Sequence, residues 1–350
     1  MTTTEFPSAA ARAAVAAAPA EDASGKDITT EWSVPEDLAA TAEIRTRHSG
    51  IAAGLPVVAE VFAQVDPEVK VEPAVADGAR LADGQVLVHL SGSARSLITG
   101  ERTALNFLQR MCGIATLTDR YVQAVAGTRA RILDTRKTAP GLRALDKYAV
   151  TAGGGHNHRL DLAAMVLLKE NHIAAAGCVT AAIEAVRRGM ARAGQTVESD
   201  VEVQTVTQAV EALDVGAHWI MLDNMPVADM EQVVKLRAGR ADASRILLEA
   251  SGPPVWTQFS PSPGRASTSS RSGRRHRLTE CVSGDQFQTQ EEPWPRATGS
   301  ASTPPSQTPR GLMSTTNWPV WPSRPQAGGC SPASAAGSSH TKPESPSALS

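Results

Sequence analysis

Between residues 101 and 252 the chain alternates short, almost wholly apolar runs with longer stretches in which apolar positions recur every three or four residues. The short runs are "RILDT", "MVLLKENH", "VEVQT", "WIMLDN" and "ILLEASG". Each has the length of a strand, and near-continuous apolar content is what a strand covered on both faces requires. The stretches between them, such as "TAAIEAVRRGM" and "MEQVVKLRA", carry the period of a helix with one buried stripe. Repeated units of this kind predict a parallel sheet, either wound open or closed into a barrel.

The pattern differs on both sides of this region. Residues 28–98 hold strand-like runs such as "VKVEPAV" and "QVLVHLSG", punctuated by Asp77-Gly78 and Asp83-Gly84, and predict a small β-rich domain. A single helix from Glu101 to Val125, with Leu105, Leu108, Met111 and Ala115 on one stripe, joins it to the parallel region. The alanine run from Ala9 to Ala20, interrupted by Arg12, predicts an amphipathic first helix rather than a signal segment. After Gly252 no apolar period of 2 or 3.6 is sustained. The boundaries expected are therefore 1–125, 126–252 and 253–350.

Composition sharpens the last boundary. Residues 253–350 hold fifteen of the 23 prolines, nineteen serines and four of the six tryptophans. Such a segment cannot bury enough surface to offset its ordering entropy, so a disordered tail is expected, either an unfolded extension or an out-of-frame end of a domain. The whole chain carries −2, but eight Arg and one Lys against five acids in the tail leave −6 on residues 1–252, which argues against general nucleic-acid binding. The four cysteines form no CxxC pair, so a reducing, cytoplasmic setting is expected. No run reaches the roughly 18 apolar residues of a membrane span.

In parallel α/β folds the chemistry gathers at the carboxyl ends of the strands. The strand ends collect Arg136 and Lys137, then Lys169, Glu202, Asp223 with Asn224, and Glu249 with Ser251. The segment "GGGHNHRLDL" adds His156, His158 and Arg159 beside three glycines. Several cations held together call for a polyanionic ligand, and arginine forks suit carboxylates or phosphates. Glu202 and Asp223 on neighbouring strands could share a Mg²⁺. Lys137 or Lys169 acting as a Schiff-base nucleophile is a second reading.

Two resemblances follow from these residues. "ADGARLADGQVLVHLSG" resembles the hammerhead hairpins of biotinyl and lipoyl carriers, but the lysine that those carriers modify is absent. The blocks "EDASGKDITT", "ERTALNFLQRMCGIAT", "ILDTRKTAPGLRALDKYAV", "GGGHNHRLDL", "LLKENH", "VEVQT", "IMLDNM" and "LLEASG" together resemble the quinolinate phosphoribosyltransferases, from about residue 10 to Gly252. The complete run of "RKT", "HR" and "LLKENH" favours these enzymes over the related paralogue associated with molybdenum transport.

The resemblance implies an N-terminal α/β sandwich domain, an incompletely closed α/β barrel, and a homodimer whose active sites draw on both subunits. It implies that quinolinate and phosphoribosyl pyrophosphate react with Mg²⁺ to give nicotinate mononucleotide, pyrophosphate and CO₂, in de novo NAD biosynthesis. By motif, Arg136, His158, Arg159 and Lys169 would hold the quinolinate carboxylates, with Arg102 entering from the partner. Lys137 would sit near the join between the substrates, and Glu202 and Asp223 would bind ribose hydroxyls and Mg²⁺ and stabilise the cationic sugar. Ser251 and Gly252 would begin the cradle of the 5′-phosphate.

Two departures from the family pattern stand out. Gln204 occupies a position usually acidic, and Pro253 and Pro254 follow Gly252 where a second glycine and a helix are expected. Proline has no N–H to offer a phosphate. An impaired or inactive family member, with its last barrel strand replaced by the disordered tail, is therefore the alternative expectation.

Overall fold

The computed structural model describes residues 5–22 and 24–252, together with the main chain of a strand at 276–279. The remainder of the tail expected to be disordered, including Pro253 and Pro254, lies outside the described residues.

The chain begins with α1 (Ser8–Glu21), which buries Ala11 and Val15, followed by a 3-10 turn (Ser24–Lys26) and α2 (Ile28–Ser33). The "EDASGKDITT" block has a structural task here: Asp27 caps α2 by accepting from Thr30 N at 3.0 Å and also meets Thr99 Oγ1. Next come β1 (Ala39–Arg45), β2 (Gly50–Ile51), α3 (Leu55–Val65), β3 (Lys70–Pro73), β4 (Arg80–Leu81), β5 (Val86–Ser93) and the long α4 (Ala94–Ala124). Strands β1, β5 and β3 form an antiparallel sheet in that order, and β2 pairs with β4. The expected long helix is present, and Met111, Leu108 and Ala115 on it are buried.

Helices α3 and α4 close against one another because Gly100 leaves room: a Cβ there would stand 2.6 Å from Phe62 Cε1. Asp77, in the first of the two Asp-Gly turns, accepts from Gly54 N and Leu55 N at the start of α3 and from Tyr148 Oη. One carboxylate thus satisfies orphan donors of a helix end and ties the N-terminal region to the next one.

That next region runs β6 (Arg131–Leu133), α5 (Arg143–Ala152), β7 (Val166–Leu168), α6 (Glu170–Ala176), α7 (Val179–Ala193), β8 (Ser199–Val203), α8 (Val206–Asp214), β9 (Trp219–Asp223), α9 (Val227–Ala238), β10 (Leu247–Ser251) and β11 (His276–Thr279). The six strands form one parallel sheet in the order β6-β11-β10-β9-β8-β7. Strands β6 and β7 lie at opposite ends of that order, so the sheet is not closed by hydrogen bonds between them.

The last barrel strand was expected to be replaced by the tail, but β10 pairs with β11, which also pairs with β6. This strand comes from the stretch with no apolar period. Main-chain hydrogen bonds from two neighbours hold four residues in place, and they require no particular side-chain pattern.

The gap between β6 and β7 is spanned by the loop after α5. His156 bridges to Leu133 and exchanges hydrogen bonds with β6, its N–H to Ile132 O and its C=O from Asp134 N. At the other side Arg159 Nη1 donates to Met165 O, just before β7, at 3.0 Å. The three glycines serve this turn rather than a ligand. A Cβ on Gly153 would lie 2.3 Å from Ala115 O, one on Gly155 would meet Thr118 and Val150 at 2.7 Å, and Gly154 has φ +86°.

Among the described residues no helix is long and apolar enough to cross a membrane, and Cys112 and Cys178 are free thiols.

Candidate active site

Alternation along the strands turns one face of the sheet towards helices and the other inward. Val201, Val203, Ile220, Leu222 and Leu248 pack with the apolar sides of α7, α8 and α9. The alternate positions, Asp200 and Glu202 on β8, Trp219, Met221 and Asp223 on β9, and Leu247, Glu249 and Ser251 on β10, share the opposite face. Their register places them side by side: Glu202 is opposite Met221, Met221 opposite Glu249, and Asp223 opposite Ser251.

The rim of this face carries most of the residues named by motif. Lys169, directly after β7, holds Nζ 3.6 Å from Glu202 Oε2. Asp223 Oδ2 accepts from Asn224 Nδ2 at 2.8 Å. Asn224 adopts a left-handed conformation, φ 53°, and its N–H donates to Ser251 O, which locks the end of β9 to that of β10. Gly252 packs against it: a Cβ there would lie 3.1 Å from Asn224 Oδ1. Lys137 is exposed, and its N–H is held by Thr135 Oγ1 at 3.0 Å.

Arg136 and Arg159 are half-buried, and the Nε atom of each is buried with no hydrogen-bond partner among the described residues. They are electrostatic neighbours, since burial first and Arg136 second hold the Arg159 guanidinium below its ordinary pKa. Two adjacent guanidinium groups with unmet donors form a seat for anionic oxygens.

Below the rim lies a buried polar network. Asp134, after β6, makes a short contact with Lys147 Nζ from α5 and accepts from His158 N at 2.8 Å, while Lys147 also donates to His158 O at 3.2 Å. Burial pushes the Asp134 carboxyl up to about 6 against the pull of Lys147, and burial likewise lowers Lys147. Behind Lys147, Arg110 on α4 clasps Asp146 with two 2.8 Å bonds.

His158 does not stand at the rim with the arginines. It is 9 % exposed, its Nδ1 accepts from Arg159 N at 2.8 Å, and its buried Nε2 lies 3.6 Å from Asp200 Oδ2 and 3.9 Å from Glu249 Oε2. Nδ1 is thus satisfied by the main chain, while Nε2 has no hydrogen-bond partner among the described residues.

Arg102 is also apart from the rim. It is exposed on α4 and lines a groove of about 1290 Å³ with Arg45, Arg47 and Arg120, a groove to which none of the strand-end residues contributes. The residues that sequence reasoning missed are Lys147, Asp146 and Asp200; for Asp200, its place two before Glu202 on an alternating strand was the available signal.

The chain matches two family models, "Quinolinate phosphoribosyl transferase, N-terminal domain" over residues 27–112 and "Quinolinate phosphoribosyl transferase, C-terminal domain" over residues 114–254. It is 45 % identical over 230 residues to the nicotinate-nucleotide pyrophosphorylase [carboxylating] of Mycobacterium leprae, covering 65 % of this chain and 79 % of that protein. To the probable enzyme of the same name from Bacillus subtilis it is 40 % identical over 232 residues, covering 66 % and 77 %. Among solved structures it resembles NadC from Streptococcus pyogenes, with TM-score 0.63, 38 % identity and coverage of 73 % and 85 %. It also resembles the nicotinate-nucleotide pyrophosphorylase from Francisella tularensis, with TM-score 0.68, 29 % identity and coverage of 80 % and 93 %.

Proposed function

The chain belongs to the quinolinate phosphoribosyltransferase family, and on that premise we propose how its rim residues carry out the transfer. The enzyme is a pentosyltransferase that joins quinolinate to phosphoribosyl pyrophosphate and releases nicotinate mononucleotide, pyrophosphate and CO₂, in NAD biosynthesis. The observation that carries the assignment of roles is the pair of buried, unpartnered Nε atoms of Arg136 and Arg159. Two unmet guanidinium donors at one rim ask for a ligand with at least two anionic oxygens, and quinolinate brings two carboxylates.

In this reading Arg136, Arg159 and Lys169 orient the carboxylates, so that the ring nitrogen faces the sugar's C1. Lys137 lies at the join, where its charge meets the departing pyrophosphate. The nitrogen lone pair forms the new bond to C1 as the C1–O bond to pyrophosphate breaks. Glu202 and Asp223, half-buried on adjacent strands, hold the ribose hydroxyls and stabilise the positive charge that grows on the sugar. The alkylated ring then accepts the electron pair left when the adjacent carboxylate departs as CO₂, and that carbon takes up a proton. Ser251 and Gly252 lie at the phosphate end.

Glu202 and Asp223 also suit Mg²⁺, since both offer hard carboxylate oxygens at a rim where water and phosphate oxygens complete a shell. When bound there, Mg²⁺ supplies charge to the pyrophosphate oxygens. Arg102 points to a homodimer. It sits in a groove separate from the strand ends, so it reaches an active site when a second copy brings it there. We place the enzyme in the cytoplasm, with small-molecule substrates and neither nucleic acid nor membrane as partner, in keeping with its free thiols and acidic folded region.

An inactive member is not favoured: both family domains match, and Arg136, Lys137, Arg159, Lys169, Glu202 and Asp223 all stand at strand ends or on the loop beside them. The Schiff-base alternative lacks support as well, because Lys137 and Lys169 are exposed and the buried lysine, Lys147, is paired with Asp134. The test is quinolinate-dependent release of pyrophosphate from phosphoribosyl pyrophosphate by the full chain with Mg²⁺. Turnover is expected; quinolinate binding without turnover would restore the impaired alternative.

A further inference from the structure

Arg136 and Arg159 sit on different loops, one after β6 and one before β7, yet they are electrostatic neighbours. Helix α5 lies between these loops in the chain and holds both of them. Lys147 Nζ donates to Asp134, two residues before Arg136, and to His158 O, one residue before Arg159, at 3.2 Å. One turn earlier, Arg143 Nε donates to Thr138 Oγ1, two residues after Arg136, at 3.1 Å. Its Nη1 donates to Leu160 O, one residue after Arg159, at 3.4 Å. Each rim arginine is therefore flanked by two anchors, and all four end on side chains four residues apart on one face of α5. This brace uses only main-chain atoms of His158 and leaves its Nε2 without a hydrogen-bond partner among the described residues.

A helix that had only to pack would not be built this way. Arg143 is the first residue of α5, where the helix dipole disfavours a cation. Lys147 is 3 % exposed, and burial lowers its pKa; Asp134 pulls the other way, while Arg143 and Arg136 lower it further. Both side chains thus hold positions that are electrostatically unfavourable. What they gain is geometric: a guanidinium pair that receives two anionic groups needs a fixed separation, and two loops do not set one by themselves.

We propose that Arg143 and Lys147 are positioning residues: through α5 they set the separation of Arg136 and Arg159, and so favour a ligand with two neighbouring carboxylates over one with a single carboxylate. This rests on the quinolinate reading given above. The rung at Arg143 is the one to test, because it is half-buried and its loss strands no buried charge.

The test measures binding to the full chain, by calorimetry for quinolinate and by saturation-transfer NMR for pyridine-3-carboxylate, which has one carboxylate to place. Arg143→Gln should weaken quinolinate about tenfold and Thr138→Val about fivefold, the size of one lost hydrogen bond, with the monocarboxylate little changed. The double variant should be no weaker than Arg143→Gln alone, since both changes break the same link. Arg143→Lys keeps the charge but not the fork that reaches both loops, and should resemble Arg143→Gln.

Three results would overturn the proposal and leave the quinolinate reading intact. If Thr138→Val kept full affinity while Arg143→Gln lost it, Arg143 would be acting on the ligand directly. If Arg143→Lys restored full affinity, charge alone would suffice. If the variants lost both ligands in equal proportion, or neither, the separation of the arginines would not depend on this rung. A wild-type chain that does not bind quinolinate would overturn both.

Discussion

The two faces of the six-stranded sheet are built on the same strands and obey different rules. On the outer face, Val201, Val203, Ile220, Leu222 and Leu248 meet helices through area and shape alone. The inner face carries buried acids, a buried histidine and, near them, a buried lysine, each with a specific partner. An apolar face loses stability in proportion to the volume removed, because dispersion and burial are shared among many neighbours. A buried charge instead depends on one or two atoms, and removing a partner leaves the full desolvation cost of the other.

The largest effect expected is on the polar side. Lys147→Met keeps volume but strands Asp134 at 3 % exposure, and should cost about 3–5 kcal/mol, read as the urea midpoint of unfolding. The apolar side should give a smaller effect: Ile220→Ala, at a fully buried position, should cost about 3 kcal/mol and leave the KM for both substrates unchanged. If the two substitutions shifted KM equally, the division between the faces would fail. The smallest effect belongs to the rim. Asn224→Gly relieves the left-handed φ and loses the bond to Asp223, two changes of opposite sign that should leave stability within about 1 kcal/mol. Its signature should be a higher KM for phosphoribosyl pyrophosphate in steady-state assays.

This contrast also marks what the sequence could reveal. The outer face and the order of strands and helices were legible from 101 to 252, because period 2 and period 3.6 are written directly in the apolar positions. The rim was legible too, since parallel sheets place Arg136, Lys169, Glu202 and Asp223 at one end. The floor was not. Alternation puts Asp200 and Glu249 on one face, but only the folded register shows that this face is buried and that His158 lies between them. The three glycines were a weak signal by themselves, as any turn can use them, and the close approaches of Gly153 and Gly155 to Ala115, Thr118 and Val150 show a packing requirement that depends on a helix some forty residues upstream. Strand β11 had no pattern to read, because pairing on both sides needs only a main chain.

The loop that spans the interval between β6 and β7 has a consequence of its own. It lays a clasp across the open side of the sheet, and the pin of the clasp is Arg159, whose Nη1 reaches Met165 while its Nε has no partner among the described residues. Fastening the open side of the sheet and, in the quinolinate reading proposed above, grasping the ligand therefore fall to one side chain.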